Sequence, residues 1–319
     1  MSIIVFAESS EGKFKKTALE VVSYGKKLAE QMNTNLVAVT AFVDDVTPLG
    51  QYGAEKVLVG NSDALKTSDG NVYASFIAEA AKAENAQVVI VDSGANGAYV
   101  APMIAVKLQA AYASNVVALP ESVDPFVVKR KAFSNKAFNF TEINSDVKVI
   151  GLAKNSFGLF EAPVTASLVA FNPEISAGSI ERQSVDMVTG KVTIADADIV
   201  VSAGRGLKGP ENWGMIEDLA DVLGAATACS RPVSDLDWRP HSEHVGQTGK
   251  QVASNLYIAI GISGAIQHLA GVNSSKVKVV INNDPEAPFF KAADYGMVAD
   301  AFEVVPQLVE KLKAFKADS

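Results

Sequence analysis

At 319 residues and 33.5 kDa the chain exceeds the size of one ordinary core, so two domains of ~100 to 200 residues each are expected. A composition of 48% hydrophobic and 20% charged residues excludes a disordered chain and supplies apolar material for sizeable cores. The formal net charge of -8 and the pI near 5.0 disfavour nucleic acid as a partner, because a polyphosphate backbone attracts the opposite sign.

The first expected strand, Ile3–Phe6, has no signal-type apolar region before it, and no apolar run reaches the ~18 residues of a membrane span. The single cysteine, Cys229, cannot form an internal disulfide, which fits a reducing compartment. The expected location is the bacterial cytoplasm, with no membrane insertion. Further strands are expected at Leu36–Phe42, Lys56–Val59, Val88–Val91 and Asn115–Leu119, short runs typical of crossover units feeding a parallel sheet. Within Lys15–Met32, Leu19, Val22, Leu28, Ala29 and Met32 recur at helical spacing with lysines on the other face, so this segment reads as a surface helix covering the sheet. After Pro125 the runs Phe126–Phe133, Ala137–Phe140, Val147–Ile150 and Thr165–Ala170 read as strands added to the same sheet. A linker over Asn172–Thr189, with a boundary near Asp186, separates a domain of residues 1–186 from one of residues 187–319.

The second domain opens with a strand at Ile199–Val201, followed by Gly204-Arg205-Gly206-Leu207-Lys208-Gly209, whose glycines match the spacing of a dinucleotide fingerprint. Pro210 directly after the third glycine counts against a nicotinamide site. So does Cys229-Ser230-Arg231, which stands where a ribose-binding acid is expected. A phosphate-contacting loop of another dinucleotide and a plain glycine turn are the other readings, and only the former explains the arginine inside the loop. After a helix near Asn212–Leu223 and a short strand at Thr227–Cys229, Arg231 can set a guanidinium beside an aromatic ring or pair with Asp235 or Asp237 at the surface. In Val245-Gly246-Gln247-Thr248-Gly249-Lys250 two glycines bracket neutral donors, which suits close approach to a flat ring or an ordinary polar turn. It lacks the spacing of a P-loop. The pair His241 and His244 has no third clustered ligand, so no metal site is expected.

Beyond the strand Leu256–Ile260, Ser263 reads as the cap of a helix starting near Gly264. There Gly264 and Ala265 leave room for a pyrophosphate against free N–H groups, and His268 follows a turn later. Asn282 and Asp300 each follow an apolar run and are expected at one sheet edge, although Asp300 also suits a cap. A strand at Val277–Ile281 and a closing helix, Pro306–Phe315, complete the chain. No Ser-His-Asp order, supported acid pair or activated thiolate is present, so no catalytic residues are assigned.

The segments Tyr257–Gly271, Asn283–Pro288 and Ala293–Gly296, with Gly204–Gly206 and Val245–Lys250, resemble the alpha subunit of the electron-transfer flavoprotein family. The resemblance implies two α/β domains: an N-terminal nucleotide-binding-like parallel-sheet domain with added strands, making partner contacts, and a C-terminal Rossmann-like domain holding one FAD. It implies a carrier rather than an enzyme, heterodimeric with a beta subunit that binds AMP. Such a carrier takes electrons from acyl-CoA and related dehydrogenases of fatty acid oxidation and hands them singly to a membrane quinone oxidoreductase. On matching positions, Arg205, Ser263, Gly264, Ala265 and Ile266 would serve the pyrophosphate and ribityl region, with Gln267 also against the cofactor. Arg231 would lie over the isoalloxazine, Thr248 would donate toward its N5 edge and His268 would approach its O2 edge. Ser230, Val245, Gly246 and Gln247 would line the pocket, and Asn282, Asp300 and Ala301 would reach the adenosine end. Trp238, Arg239 and His241 depart from the small apolar linker of the family. Two rival readings are a nicotinamide-dependent oxidoreductase or deacylase using Gly204–Gly209, and a non-redox adenine-nucleotide sensor using the first domain.

Overall fold

The computed structural model describes residues 1–67, 69–176, 180, 183–184 and 192–317. It divides into two compact units, Met1–Phe133 with Ala137–Val185, and Ser134–Lys136 with Asp186–Ser319. The boundary expected near Asp186 lies outside the described residues.

The first unit is built on β1 (Ser2–Phe6), α1 (Lys16–Gln31), β2 (Asn35–Ala41), β3 (Lys56–Gly60), α2 (Gly70–Ala83), β4 (Ala86–Asp92) and α3 (Ala95–Leu108). These are followed by β5 (Ala111–Val116), β6 (Phe126–Ala132), β7 (Ala137–Ile143), β8 (Lys148–Leu152) and β9 (Ser167–Ala170). The sheet runs β7-β6-β5-β8-β4-β1-β2-β3-β9, with β6 antiparallel to both its neighbours and the other pairs parallel. Every residue of β1 is buried, as expected of a central strand covered on both faces. On one of those faces the buried carboxylate of Glu20, in α1, accepts from the backbone amides of Asn155, Phe157 and Gly158 at 2.8 to 2.9 Å, satisfying the loop after β8. The strands expected after Pro125 do join this sheet. The one expected at Asn115–Leu119 is displaced toward the amino terminus: Gln109, at φ 52°, ends α3 in a left-handed cap. The chain is therefore extended by Ala111, and the left-handed Asn115 marks a register shift near the strand's end.

The second unit contains β10 (Ile199–Ala203), α4 (Gly214–Leu223), β11 (Ala226–Cys229), α5 (Arg231–Asp235), β12 (Leu256–Ile260), α6 (Ile266–Val272), β13 (Val277–Asn282), β14 (Tyr295–Val298) and α7 (Ala301–Ala317). All five strands are parallel, in the order β11-β10-β12-β13-β14. Alternate residues feed two cores: Val201, Ile258 and Ile281 pack with α4 and α7, while Val200, Tyr257 and Val280 pack with Val245, Val272 and Phe289. α7 starts five residues before the expected Pro306, because Asp300 Oδ1 caps it by accepting from the Phe302 amide at 2.9 Å. The chain thus forms two α/β units, one with a large, mostly parallel sheet and one with a smaller, wholly parallel sheet.

From β10 the chain crosses through α4 to β11 on one side, and β12 to β14 lie on the other. The strand order therefore reverses between β10 and β12, the point where open parallel sheets leave a crevice outside their carboxyl ends. There the two following loops touch backbone to backbone: Gly206 N donates to Gly261 O at 3.2 Å. A Cβ on Gly261 would lie 2.8 Å from Gly206 Cα, and Gly261 has φ +60°. Gly261→Ala is expected to destabilise the protein by about 1–3 kcal/mol through overpacking, beyond the left-handed backbone penalty. Gly214→Ala, where a Cβ meets nothing within 4 Å, is the neutral control. Thermal midpoints of the two variants that coincide would refute the contact's importance.

Candidate functional site

A cleft of about 670 Å³ opens at this reversal, within the usual range for cofactor sites. Four strand ends supply its walls: Arg205 and Gly206 after β10, Ser230 to Pro232 after β11, Gly261 to Ser263 with Ala265, Gln267 and His268 after β12, and Asn282, Asp284 and Ala287 at the end of β13. The turn His244–Thr248 closes another side.

Of the residues singled out in the sequence, Arg205, Ser230, Arg231, Val245, Gly246, Gln247, Thr248, Ser263, Ala265, Gln267, His268 and Asn282 line this one cleft. Gly264, Ile266, Asp300 and Ala301 do not. The Cβ position of Gly264, at φ +82°, falls 2.5 Å from the Phe289 backbone, so protein packing requires its glycine. Ile266 is 61% exposed, Asp300 caps α7, and Ala301 is buried in the α4–α7 core. Ser263 is not a helix cap either. α6 begins at Ile266 with Ala265 as its uncapped N-cap residue, and the Ser263 carbonyl accepts from Phe289 N. The sequence reading missed Gly206, Pro232, His244, Gly261, Ile262, Asp284 and Ala287. Most of these adjoin residues it did single out. Asp284 and Ala287 enter through the turn after β13, whose sequence shows ordinary turn chemistry.

Main-chain bonds fix the walls. Val245 N donates to Cys229 O at 2.9 Å, extending the sheet by a bridge, and Gln247 N donates to Gln267 O at 2.7 Å, tying the turn to α6. Gly271 and Gly246 meet so closely that a Cβ on Gly271 would lie 2.5 Å from Gly246 Cα. The glycines of this turn therefore serve chain–chain approach. Asn282 bridges two walls, donating to Ile262 O at 3.0 Å and accepting from Asp284 N at 3.0 Å.

The charges are unevenly matched. Arg231 pairs with Asp235 at 3.3 Å, as the local reading allowed, yet its side chain is 65% exposed and borders the cleft. His244 is held below its ordinary pKa by burial and by Arg231. His268 is lowered further, to about 4, by burial first and His244 second, with the backbone of Val245 opposing. Its Nε2 lies 2.9 Å from the Tyr257 hydroxyl, while its Nδ1 is buried and makes no hydrogen bond. Burial also raises the Tyr257 phenol. The Ser202 hydroxyl offsets part of that rise without meeting hydrogen-bond geometry. Cys229 is fully buried and its thiol is pushed up to about 12, which marks it as a core residue.

Trp238, Arg239 and His241, the residues that depart from the expected linker, form a brace and do not line the cleft. Arg239 binds both carboxylate oxygens of Glu243 at 2.8 and 2.6 Å, reaches Glu217 at 2.9 Å and stacks over Trp213. Trp238 packs on the α4–α7 core and His241 Nδ1 lies 2.6 Å from Ser234 Oγ.

The Gly204–Gly209 loop does not lead into a helix: after Gly209 it enters a single 3-10 turn at Pro210–Asn212, and α4 starts only at Gly214. The nicotinamide alternative thus lacks the helix terminus its fingerprint needs. For the sensor alternative, the cavity lined by Glu8, Tyr73 and Asn96 in the first unit has about 100 Å³, below the usual range for ligand sites.

A switch-point cleft with two arginines, exposed helix-start residues and a half-partnered buried histidine fits a large anionic dinucleotide and defines a cofactor-binding α/β protein. Residues 3–185 match the electron transfer flavoprotein domain, and residues 193–273 match the electron transfer flavoprotein FAD-binding domain. The chain is 36% identical to the electron transfer flavoprotein subunit alpha of Syntrophomonas wolfei, over 97% of this chain and 98% of that one. It is 34% identical to the same subunit of Bacillus subtilis, over 99% of each, and 35% identical to a probable mitochondrial one of Caenorhabditis elegans, over 98% and 93%. The chain belongs to the electron transfer flavoprotein alpha subunits.

Burial of neutral His268 has a pH signature. Its pKa falls from 6.5 to about 4 on folding, so between those values the unfolded chain binds more protons than the folded one. The contribution is complete above pH 6.5 and about 3 kcal/mol is lost as pH falls to 4. Denaturation midpoints at pH 7 and 4.5 are expected to differ less in His268→Gln than in the unmodified protein. Equal differences would contradict the assignment.

Proposed function

We propose that this chain is the alpha subunit of a heterodimeric electron carrier and holds one FAD in the cleft at the β10/β12 reversal. The reading rests chiefly on one observation: the permanent cation of Arg231 borders a cleft whose buried His268 is neutral and has a nitrogen without a protein partner. Bound FAD supplies the redox chemistry, exchanging electrons singly or in pairs.

The chain's residues then have distinct tasks. Arg205, Ser263 and Ala265 receive the pyrophosphate region, helped by the amides of Ile266 and Gln267, which have no intrahelical acceptors. Gly264 acts through its fold, by letting the loop pass Phe289. Arg231, at the cleft's border, would hold the isoalloxazine region and offset negative charge there. Thr248 and His268 offer neutral donors to the ring edges, and Ser230, Val245, Gly246 and Gln247 shape its pocket. Asn282 and Asp300 mark the adenosine end. Pairing of Asn282 with Val298 and donation from Ala299 N to Asn282 O set Asp300 and Ala301 just beyond the same sheet edge.

A subunit alpha implies a partner subunit and exchange partners for electrons. We assign the partner as a beta subunit carrying AMP, with contacts made by residues 1–186. The donors are acyl-CoA and related flavin dehydrogenases, the acceptor is a membrane quinone oxidoreductase, and the setting is the bacterial cytoplasm. Among the described residues no helix is long and apolar enough to cross a membrane. The carrier has no substrate chemistry of its own.

The purified complex is expected to show a flavin absorption spectrum with one FAD per alpha subunit, and a colourless complex would overturn the reading. Arg231→Ala is expected to lower the one-electron reduction potential by roughly 30–60 mV, half to one power of ten in the equilibrium, as befits a partly exposed charge. A reductive titration giving an unchanged potential would remove Arg231 from that role.

A further inference from the structure

We propose that Tyr257 is a positioning residue: its buried phenol donates to Nε2 of His268 and fixes the imidazole as the tautomer with its proton on Nδ1. The two groups are 2.9 Å apart, and Tyr257 is fully buried in the middle of the second unit's sheet. A hydrogen bond between a phenol and an imidazole runs in either direction, so the direction follows from what each choice leaves unpaired. If Nε2–H donated to the phenol oxygen, the phenol proton would need another acceptor. The Ser202 hydroxyl, which also acts on Tyr257, could take that proton, so the phenol alone does not fix the direction. The other nitrogen does. The Val245 amide is committed to Cys229 O, so the backbone group acting on His268 is the Val245 carbonyl, which a bare Nδ1 would face lone pair to lone pair. A proton on Nδ1 removes that repulsion and leaves Nε2 as an acceptor, to which the phenol donates.

The ring cannot easily escape this choice. Tyr257 stacks parallel to Phe289 at 6.4 Å, and Phe289 in turn packs at 6.0 Å from the His268 ring. Phe289 is itself pinned through its amide to Ser263 O in the cleft wall. The histidine is thus clamped between a donor on one nitrogen and an aromatic face, and it presents a neutral N–H donor rather than a base.

The consequence for the cofactor, a fixed N–H donor for a ring carbonyl, rests on the FAD reading above; the tautomer does not. Both are read in one sample, the complex in which only this chain carries 15N-histidine, with His268 signals assigned as those missing in His268→Gln. The expected result is a protonated-type Nδ1 and an unprotonated-type Nε2. In Tyr257→Phe, which keeps the ring packing, the tautomer ratio is expected to fall about tenfold toward a mixture. A protonated Nε2 in the unmodified protein, or an unchanged ratio in Tyr257→Phe, overturns the proposal. The visible spectrum of the same sample separates the two readings. A yellow complex with protonated Nε2 removes the role of Tyr257 alone, and a colourless one with protonated Nδ1 removes the cofactor while leaving the tautomer in place.

Discussion

Backbone packs directly on backbone where Gly206 meets Gly261, and the shape of the second unit's cleft follows from that contact. The loops leaving β10 and β12 diverge to opposite sides of the sheet, and a side chain at either position would force them apart. Gly204 adds to the same seam, since its Cβ would fall 2.3 Å from Gly261 O. At this seam main chain meets main chain, and polar side chains of the cleft come from the surrounding loops: Arg205 from one, Ser263 and His268 from the other, and the His244–Thr248 turn from beyond β11.

The rim is electrostatically selective as well. Its two histidines are both held below their ordinary pKa by burial, and Arg231 and His244 depress their neighbours further. At neutral pH the standing charges of the lining are therefore Arg205, Arg231 and the single carboxylate of Asp284. The balance favours an anion without concentrating cations deeply enough to need counter-charges in the core. Asp235 satisfies Arg231 at the solvent edge, an exposed pair worth at most about 1 kcal/mol, so the guanidinium is held only weakly in that arrangement.

Much of this was legible in the sequence, for physical reasons. The runs Leu256–Ile260 and Val277–Ile281 are too short for helices and apolar throughout except for Lys278, which identifies central parallel strands and places Ser263, His268 and Asn282 beyond or at their carboxyl ends. β14 was not legible because Tyr295 to Val298 are all exposed and interrupted by a glycine, leaving no pattern to read. The glycines that support the cleft's walls were visible as residues but not in purpose. Gly264 and Gly249 are required by Phe289 and by the His244 backbone, contacts made between segments remote or folded back in the chain. Asp300 shows the same limit: an acid after an apolar run fits both a ligand contact and a helix cap, and the Phe302 amide shows that the cap is made.

The segment least like the expected linker explains how the cleft keeps its dimensions. Between Arg231 and Val245 the chain leaves the sheet and must return to β11, where Val245 N meets Cys229 O. A loop of that length made only of small apolar residues would hold its two ends through little more than that one bond. Arg239 removes this freedom. Its guanidinium is fixed by two oxygens of Glu243, by Glu217 at the end of a bond spanning to α4, and by the Trp213 face. Such a planar, multiply bonded and half-buried cation is worth far more than an isolated surface pair, because the bonds share one ordered side chain. Glu243 immediately precedes His244, so the clamp on Arg239 fixes the residue that begins the cleft's turn. His241 does the same for α5 through Ser234. The chemistry that departs from expectation is thus placed one step behind the cleft, where it stiffens Arg231 and the His244–Thr248 turn from outside while the lining itself stays polar and open.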